Sequence, residues 1–152
     1  MQNPTLGQIR PYTAADWAVV SQIHDAARPD ELRGACDPRA FIPLADDQVS
    51  LSDFEQSQKF VISIDDQVVG FVGINGKYLG WLYIAPSHYG RGLGGQLLNF
   101  ALEQIGAGAW TIALAENRRA VELYQRAGFI SSKTFESDNA GYPCTCARLE
   151  RA

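Results

Sequence analysis

The chain has 152 residues, 46% of them hydrophobic and 20% charged, which suits one folded domain with a substantial core and argues against disorder. Its net charge of −4 opposes general nucleic-acid binding, and no apolar run reaches the roughly 18 residues that would span a bilayer. The N-terminal stretch MQNPTLGQIRPYTAADW has no apolar signal-like core, so a cytoplasmic protein is expected.

Residues 8–12 (QIRPY) read as a short first strand. Thr13 followed by Asp16 resembles a capping box with Asp in place of Glu or Gln. Behind it Trp17, Val20, Ile23 and Ala27 recur at helical spacing through about residue 27. Residues 28–45 hold three prolines and a glycine and read as a long surface loop, the kind that is usually functional or mobile. A second helix is expected around residues 46–57.

Three apolar segments follow: KFVISI (59–64), VVGFVGI (68–74) and YLGWLYIA (78–85). The short polar turns between them predict an antiparallel meander. Next, Leu93, Leu97, Leu98, Ala101, Leu102 and Ile105 mark one helix face, which Gly106-Ala107-Gly108 ends. WTIALA (110–115) reads as a buried strand, parallel to 78–85 because a helix connects the two. Residues 117–127 predict a short helix, and 129–135 and 144–150 predict two last strands. The fold class is α/β in the broad (α+β) sense, a mixed sheet flanked by helices.

The cysteines are Cys36, Cys144 and Cys146, an odd count that fits free thiols in a reducing compartment. Cys144 and Cys146 alternate and would share one face of a strand, where core packing is favoured over metal binding. No metal site is expected.

The stretch APSHYGRGLGGQLLNFAL (85–102) places four glycines within six positions, directly before a helix. A turn alone would need one. Unpaired N–H groups and the positive end of the helix dipole make such a start an anion site, and glycines let a phosphate approach the backbone. Arg91 can add a charge-assisted bond. Gly90, Gly92 and Gly95 also satisfy Gly-x-Gly-x-x-Gly, with Glu116 about 20 residues on, as in dinucleotide-binding folds. Against that, Pro86-Ser87-His88-Tyr89 intervenes, a meander precedes, and too little chain follows for a second nucleotide half. A Walker A loop is excluded because no Gly-Lys-Ser/Thr follows.

LYIAPSHYGRGLGGQLLNFAL (82–102) resembles the acetyl-CoA motif of the GCN5-related N-acetyltransferase (GNAT) family: an apolar strand, a proline, then Gln/Arg-x-x-Gly-x-Gly/Ala opening a helix. Gly92 and Gly94 match its small positions, whereas Tyr89 stands where Gln or Arg is usual. ENRRAVELYQRAGF (116–129) is similar to the family's second block through Asn117, Ala120, Tyr124, Gly128 and Phe129. The likeness extends over nearly the whole chain, the first 57 residues by pattern only, and implies a single GNAT domain over residues 1–152.

The resemblance implies a mostly antiparallel sheet whose one parallel strand pair splays to admit the pantetheine arm of acetyl-CoA. Backbone groups of Leu82, Tyr83 and Ile84 would pair with that arm. N–H groups of Gly90, Arg91, Gly92, Leu93, Gly94 and Gly95 would hold the pyrophosphate, with Asn117 near the arm and Tyr124 near its sulfur. A neutral amine would attack the thioester. A backbone N–H at or beside Ile84 would stabilise the oxyanion, and Tyr124 would protonate the departing thiolate.

Several residues compete as base: His24, Asp25, Tyr83, His88 and Glu116. The acceptor site should involve the 28–45 loop, where Arg28, Asp30, Glu31, Arg33, Asp37 and Arg39 carry charge of both signs. Trp81 and Tyr83 share a strand face and line either a pocket or the core. The expected activity is acetyl-CoA-dependent transfer to an amine of a small molecule, peptide or protein. The alternative is a non-catalytic acyl-CoA-binding sensor or interaction module. No nucleic-acid or membrane partner is expected, and open sheet edges allow a homodimer.

Overall fold

The structure, a computed structural model, describes residues 6–152. Seven strands form one sheet in the order β1-β2-β3-β4-β5-β7-β6. They are β1 (Gln8–Pro11), β2 (Gln58–Ile64), β3 (Gln67–Asn75), β4 (Tyr78–Ile84), β5 (Trp110–Leu114), β6 (Ile130–Asn139) and β7 (Tyr142–Glu150). Every neighbouring pair is antiparallel except β4–β5. The helices are α1 (Trp17–Leu32), α2 (Gln48–Gln56), α3 (Leu93–Ile105) and α4 (Arg118–Arg126).

Alternation along the strands sorts side chains to two faces. Phe60, Ile62 and Val72 join the α3 leucines Leu93, Leu97 and Leu98, together with Tyr124 and Phe129, in the larger core. Val61, Phe71 and Trp81 point the other way, onto Val20 and Ile23 of α1 and Phe54 of α2. A smaller cluster packs Leu32 at the end of α1 and Ala40 against Leu114, Cys144 and Cys146. The two strand cysteines are therefore buried side by side, with sulfurs 4.0 Å apart, and all three thiols are free.

Three elements run longer than the sequence pattern predicts. α1 continues past residue 27 to Leu32 with Pro29 inside it. Proline cannot donate to the carbonyl four residues back and normally ends a helix. Here the fully buried Leu32 anchors the last turn, and two ion pairs at i,i+3 spacing, Arg28–Glu31 at 3.0 Å and Asp30–Arg33 at 2.9 Å, brace it. Only the segment after Leu32 is the expected loop, and it contains short 3₁₀ turns at Pro38–Ala40 and Leu44–Asp46. β6 and β7 extend into a hairpin closed by Ala140 and Gly141, both at positive φ (52° and 84°). An Ala at such a position hid the turn from the sequence pattern.

The start of α1 is tied to β1. The Asp16 carboxylate accepts the Thr13 backbone N–H at 2.8 Å and a two-pronged contact from Arg10 at 2.8 Å. The Arg10 guanidinium, followed by the Thr13 hydrogen bonds, outweighs burial and holds the Asp16 pKa at about 2. A carboxylate whose pKa is depressed on folding stabilises the native state above its unfolded pKa, about 3.9, and loses that contribution as pH falls through its folded value. We therefore expect Asp16→Asn to lose about 1–2 kcal/mol at pH 7 in urea unfolding, with the gap to wild type closing between about pH 4 and pH 2.

Candidate active site

The parallel pair is joined at one end only. The Trp110 N–H donates to the Lys77 carbonyl at 3.0 Å, and the buried Thr111 hydroxyl donates to the Leu79 carbonyl at 2.7 Å. Tyr78↔Trp110 is the single residue pair in register. At this closed end the Tyr78 and Trp110 rings lie 4.4 Å apart, with the Arg148 guanidinium 4.1 Å from the Trp110 ring centre. The pairing of β4 with β3 then skips Gly80, the extra residue of a β-bulge between Leu79 and Trp81. Beyond the bulge β4 and β5 part.

The bulge reverses which backbone groups face which neighbour. The Ala85 N–H donates to the Val69 carbonyl of β3, so by alternation Tyr83 also directs its backbone to β3. Leu82 and Ile84 turn their N–H and C=O groups toward the opening. Of the three β4 residues singled out from sequence, Tyr83 thus offers the cleft its phenol rather than its backbone.

A cavity of about 340 Å³ occupies the gap. Leu82, Tyr83 and Ile84 line it from β4, and Thr111, Ile112 and Ala113 from β5. Gly90, Gly92, Leu93, Gly94 and Gly95 line it from the α3 entry, and Asn117 and Tyr124 from α4. The Arg91 side chain is exposed and does not line this cavity.

Gly90 and Gly92 have φ of 77° and 79°. A Cβ at either would meet nothing within 4 Å, so it is the left-handed backbone and not lack of space that calls for glycine. Gly92 is the N-cap of α3 and provides no side-chain acceptor for the first-turn N–H groups. The helix therefore presents free donors toward the cleft.

Tyr124 is 7% exposed, with its ring edge-on to Phe129 at 5.4 Å. Burial and then the Glu31 carboxylate raise its pKa well above 10, against a lowering contribution from the Thr111 hydroxyl. The phenol therefore carries its proton at any physiological pH. Asn117 caps α4, its Oδ1 accepting the Ala120 N–H at a long 3.5 Å while the side chain borders the cleft.

The other polar candidates separate clearly. His24 is buried against Trp81 and Tyr83, its Nδ1 2.9 Å from Asp25, whose carboxylate also accepts the Leu44 N–H at 2.9 Å. Neither residue lines the cavity, nor does the exposed Glu116. His88 does line it, with Nδ1 2.8 Å from the Ser87 hydroxyl. Among the described residues no group of three or more His, Cys, Asp or Glu is arranged to hold a metal ion.

The extended end of α1 brings residues to the site that sequence reasoning left in a loop. Asp30 and Glu31 line the cleft, as does Arg119 from α4. Tyr89 joins these elements: its hydroxyl donates to Asp30 Oδ2 at 3.0 Å, and the Arg119 guanidinium stacks 3.8 Å from its ring centre. Burial and the Asp30 carboxylate push the Tyr89 pKa up to about 12, so the hydroxyl remains a donor. The paired spacings Arg28-x-x-Glu31 and Asp30-x-x-Arg33 were the available sign of a helix here.

The acetyltransferase (GNAT) domain family matches residues 55–131, half of the chain. The chain belongs to the GNAT family. It is 32% identical over 95 residues to the peptidyl-lysine N-acetyltransferase YjaB of Salmonella typhimurium, a match spanning 61% of this chain and 65% of that protein, just under two thirds of its length. Its fold matches a GCN5-related N-acetyltransferase from Rhodopseudomonas palustris with a TM-score of 0.88, at 17% identity over 100% of this chain and 99% of the other. It also matches Salmonella typhimurium YncA, solved with acetyl-CoA, with a TM-score of 0.72 at 17% identity over 96% and 93% of the two chains.

Tyr89→Phe removes the hydroxyl that reaches Asp30 and keeps the ring under Arg119. Urea unfolding should show a loss of about 1–2 kcal/mol, the range for a hydrogen bond to a charged group in a partly exposed setting. An unchanged midpoint would mean that this bond does not hold the glycine loop to α1.

Proposed function

We propose that the protein is an acetyl-CoA-dependent N-acetyltransferase that moves an acetyl group to a primary amine by direct attack on the thioester. The observation that supports this reading most is the parting of β4 and β5 beyond Gly80, bordered by the glycine-opened end of α3 and by the Tyr124 phenol. Acetyl-CoA would supply the acetyl group in activated form.

The residues present fit such a ligand. An extended, amide-bearing arm needs backbone donors and acceptors, and Leu82 and Ile84 turn theirs into the opening. A pyrophosphate needs unpaired N–H groups, which the segment Gly90–Gly95 offers with the positive end of the α3 dipole. Asn117 can hydrogen-bond the arm from the opposite wall.

Tyr124 has the environment of a general acid. It keeps its proton in the buried site and lends it to a thiolate as that thiolate departs. A backbone N–H of β4 at the opening, at or beside Ile84, is the donor for negative charge developing on the carbonyl oxygen. The amine acceptor approaches from the α1 side of β4, toward which the Tyr83 phenol projects.

Two measurements test the reading. Acetyl-CoA at 100 times its Kd should stabilise the protein by about 2.7 kcal/mol in thermal unfolding, while a nicotinamide dinucleotide should not. Tyr124→Phe should keep that stabilisation and lower turnover about 100-fold, the scale of one lost general acid. A Phe variant with wild-type turnover would remove Tyr124 from the chemistry.

A further inference from the structure

Two carboxylates border the cleft, Asp30 and Glu31, and they differ in what holds them. Asp30 is engaged on both oxygens, Oδ1 by Arg33 at 2.9 Å and Oδ2 by the Tyr89 hydroxyl. Glu31 is held through Oε1 by Arg28 Nη1 at 3.0 Å and is reached by the Tyr83 hydroxyl, so its partners lie on the cleft side of α1 and none of them comes from the glycine loop. Arg28 is itself fixed from across the fold, its Nη2 donating to Asn139 Oδ1 on β6 at 2.9 Å. A charge braced from both α1 and β6 has little freedom to turn away from the cleft.

We propose that Glu31 is the acceptor-anchoring, specificity-determining residue, and that the acceptor it selects is a cationic alkyl amine seated as its ammonium between Glu31 and the phenols of Tyr83 and Tyr124. This rests on the acetyltransferase reading above and adds the acceptor's chemistry. An ammonium there pairs with the carboxylate and lies beside electron-rich rings, both of which favour a cation. The groups facing Glu31 are Arg28 on its own helix, Tyr83 from β4, Tyr89 from the glycine loop and Tyr124 from α4. Tyr83, Tyr89, Tyr124 and Glu31 line the same cavity, and the carboxylate's charge raises the pKa of all three phenols.

The proton balance distinguishes an anchor from a base. An alkyl amine is an ammonium at neutral pH, so it arrives charged and Glu31 acts as its counter-ion rather than as the base. The bound ammonium first loses one proton to solvent, which frees the nitrogen lone pair for attack. As the N–C bond forms and the C–S bond breaks the nitrogen loses a second proton, and the departing sulfur gains one by way of Tyr124.

The test compares wild type, Glu31→Gln and Glu31→Asp on three probes: an N-terminally blocked lysine peptide, 1,4-diaminobutane, and p-anisidine, an arylamine uncharged at neutral pH. Wild type should favour the alkyl amines, and the better of the two separates a peptide from a small-molecule source. Glu31→Gln should raise the KM for those amines at least tenfold while changing kcat less than threefold and leaving p-anisidine turnover within twofold. Glu31→Asp, which keeps the charge, should recover part of the loss, and acetyl-CoA stabilisation should be equal in all three proteins. An equal loss on all probes, no loss on the alkyl amines, or a wild type that favours p-anisidine would overturn the anchor and leave the acetyltransferase reading standing. A wild type that turns over no amine would overturn both.

Discussion

Everything at the site depends on one irregularity of hydrogen bonding: β4 and β5 share their ladder at one end and abandon it at the other. A buried backbone group without a partner costs about 1–3 kcal/mol, so strands do not part inside a sheet without compensation. Here β4 keeps its pairing with β3 up to Ile84, and β5 keeps five residues in register with β7. Each strand is thus secured on its outer side. The closed end is pinned by the Thr111 hydroxyl on the Leu79 carbonyl and by the Tyr78–Trp110–Arg148 stack. Gly80 supplies the bulge that turns the backbone of Leu82 and Ile84 into the gap, where water or a ligand can satisfy it.

The cleft is polarised along its length by the elements that meet there. At the α3 end the donors are backbone N–H groups, freed because the entry glycines carry no competing acceptor. At the α1 end lie a braced carboxylate and two phenols held in their protonated form. An anionic group favours the first end, and a cationic group the second. Such opposition would orient the phosphate-bearing donor and the amine of the proposed reaction without any moving part.

Much of this was legible in the sequence. The meander, α3, β5 and α4 fell where periodicity and turn residues placed them, because local pattern and tertiary packing agree there. Three features were not legible. Pro29 signals a helix end by its lost N–H, and only the burial of Leu32 and the i,i+3 ion pairs, which are tertiary and side-chain effects, carry α1 beyond it. Arg91 carries charge in the expected loop, yet its direction depends on the left-handed turns at Gly90 and Gly92, a backbone property that residue type does not reveal. The bulge at Gly80 was hidden for a similar reason, since a glycine in a strand has many uses.

Tyr89 is where these strands of reasoning meet. At a position where Gln or Arg is usual in the family, a Tyr can make two different contacts at once, a hydroxyl bond at its tip and a cation on its face. It uses both, taking Asp30 with the first and Arg119 with the second. That choice ties Asp30 to the glycine loop, while Glu31, one residue further along α1, is held instead by Arg28 and Tyr83. It also links the glycine loop to the same helical turn that carries Glu31, so the two ends of the cleft share one support. The extension of α1 beyond Pro29 and the departure at Tyr89 are therefore one structural feature: without the extra turn the phenol would have no carboxylate to reach, and without the phenol Asp30 would lose its partner in the glycine loop.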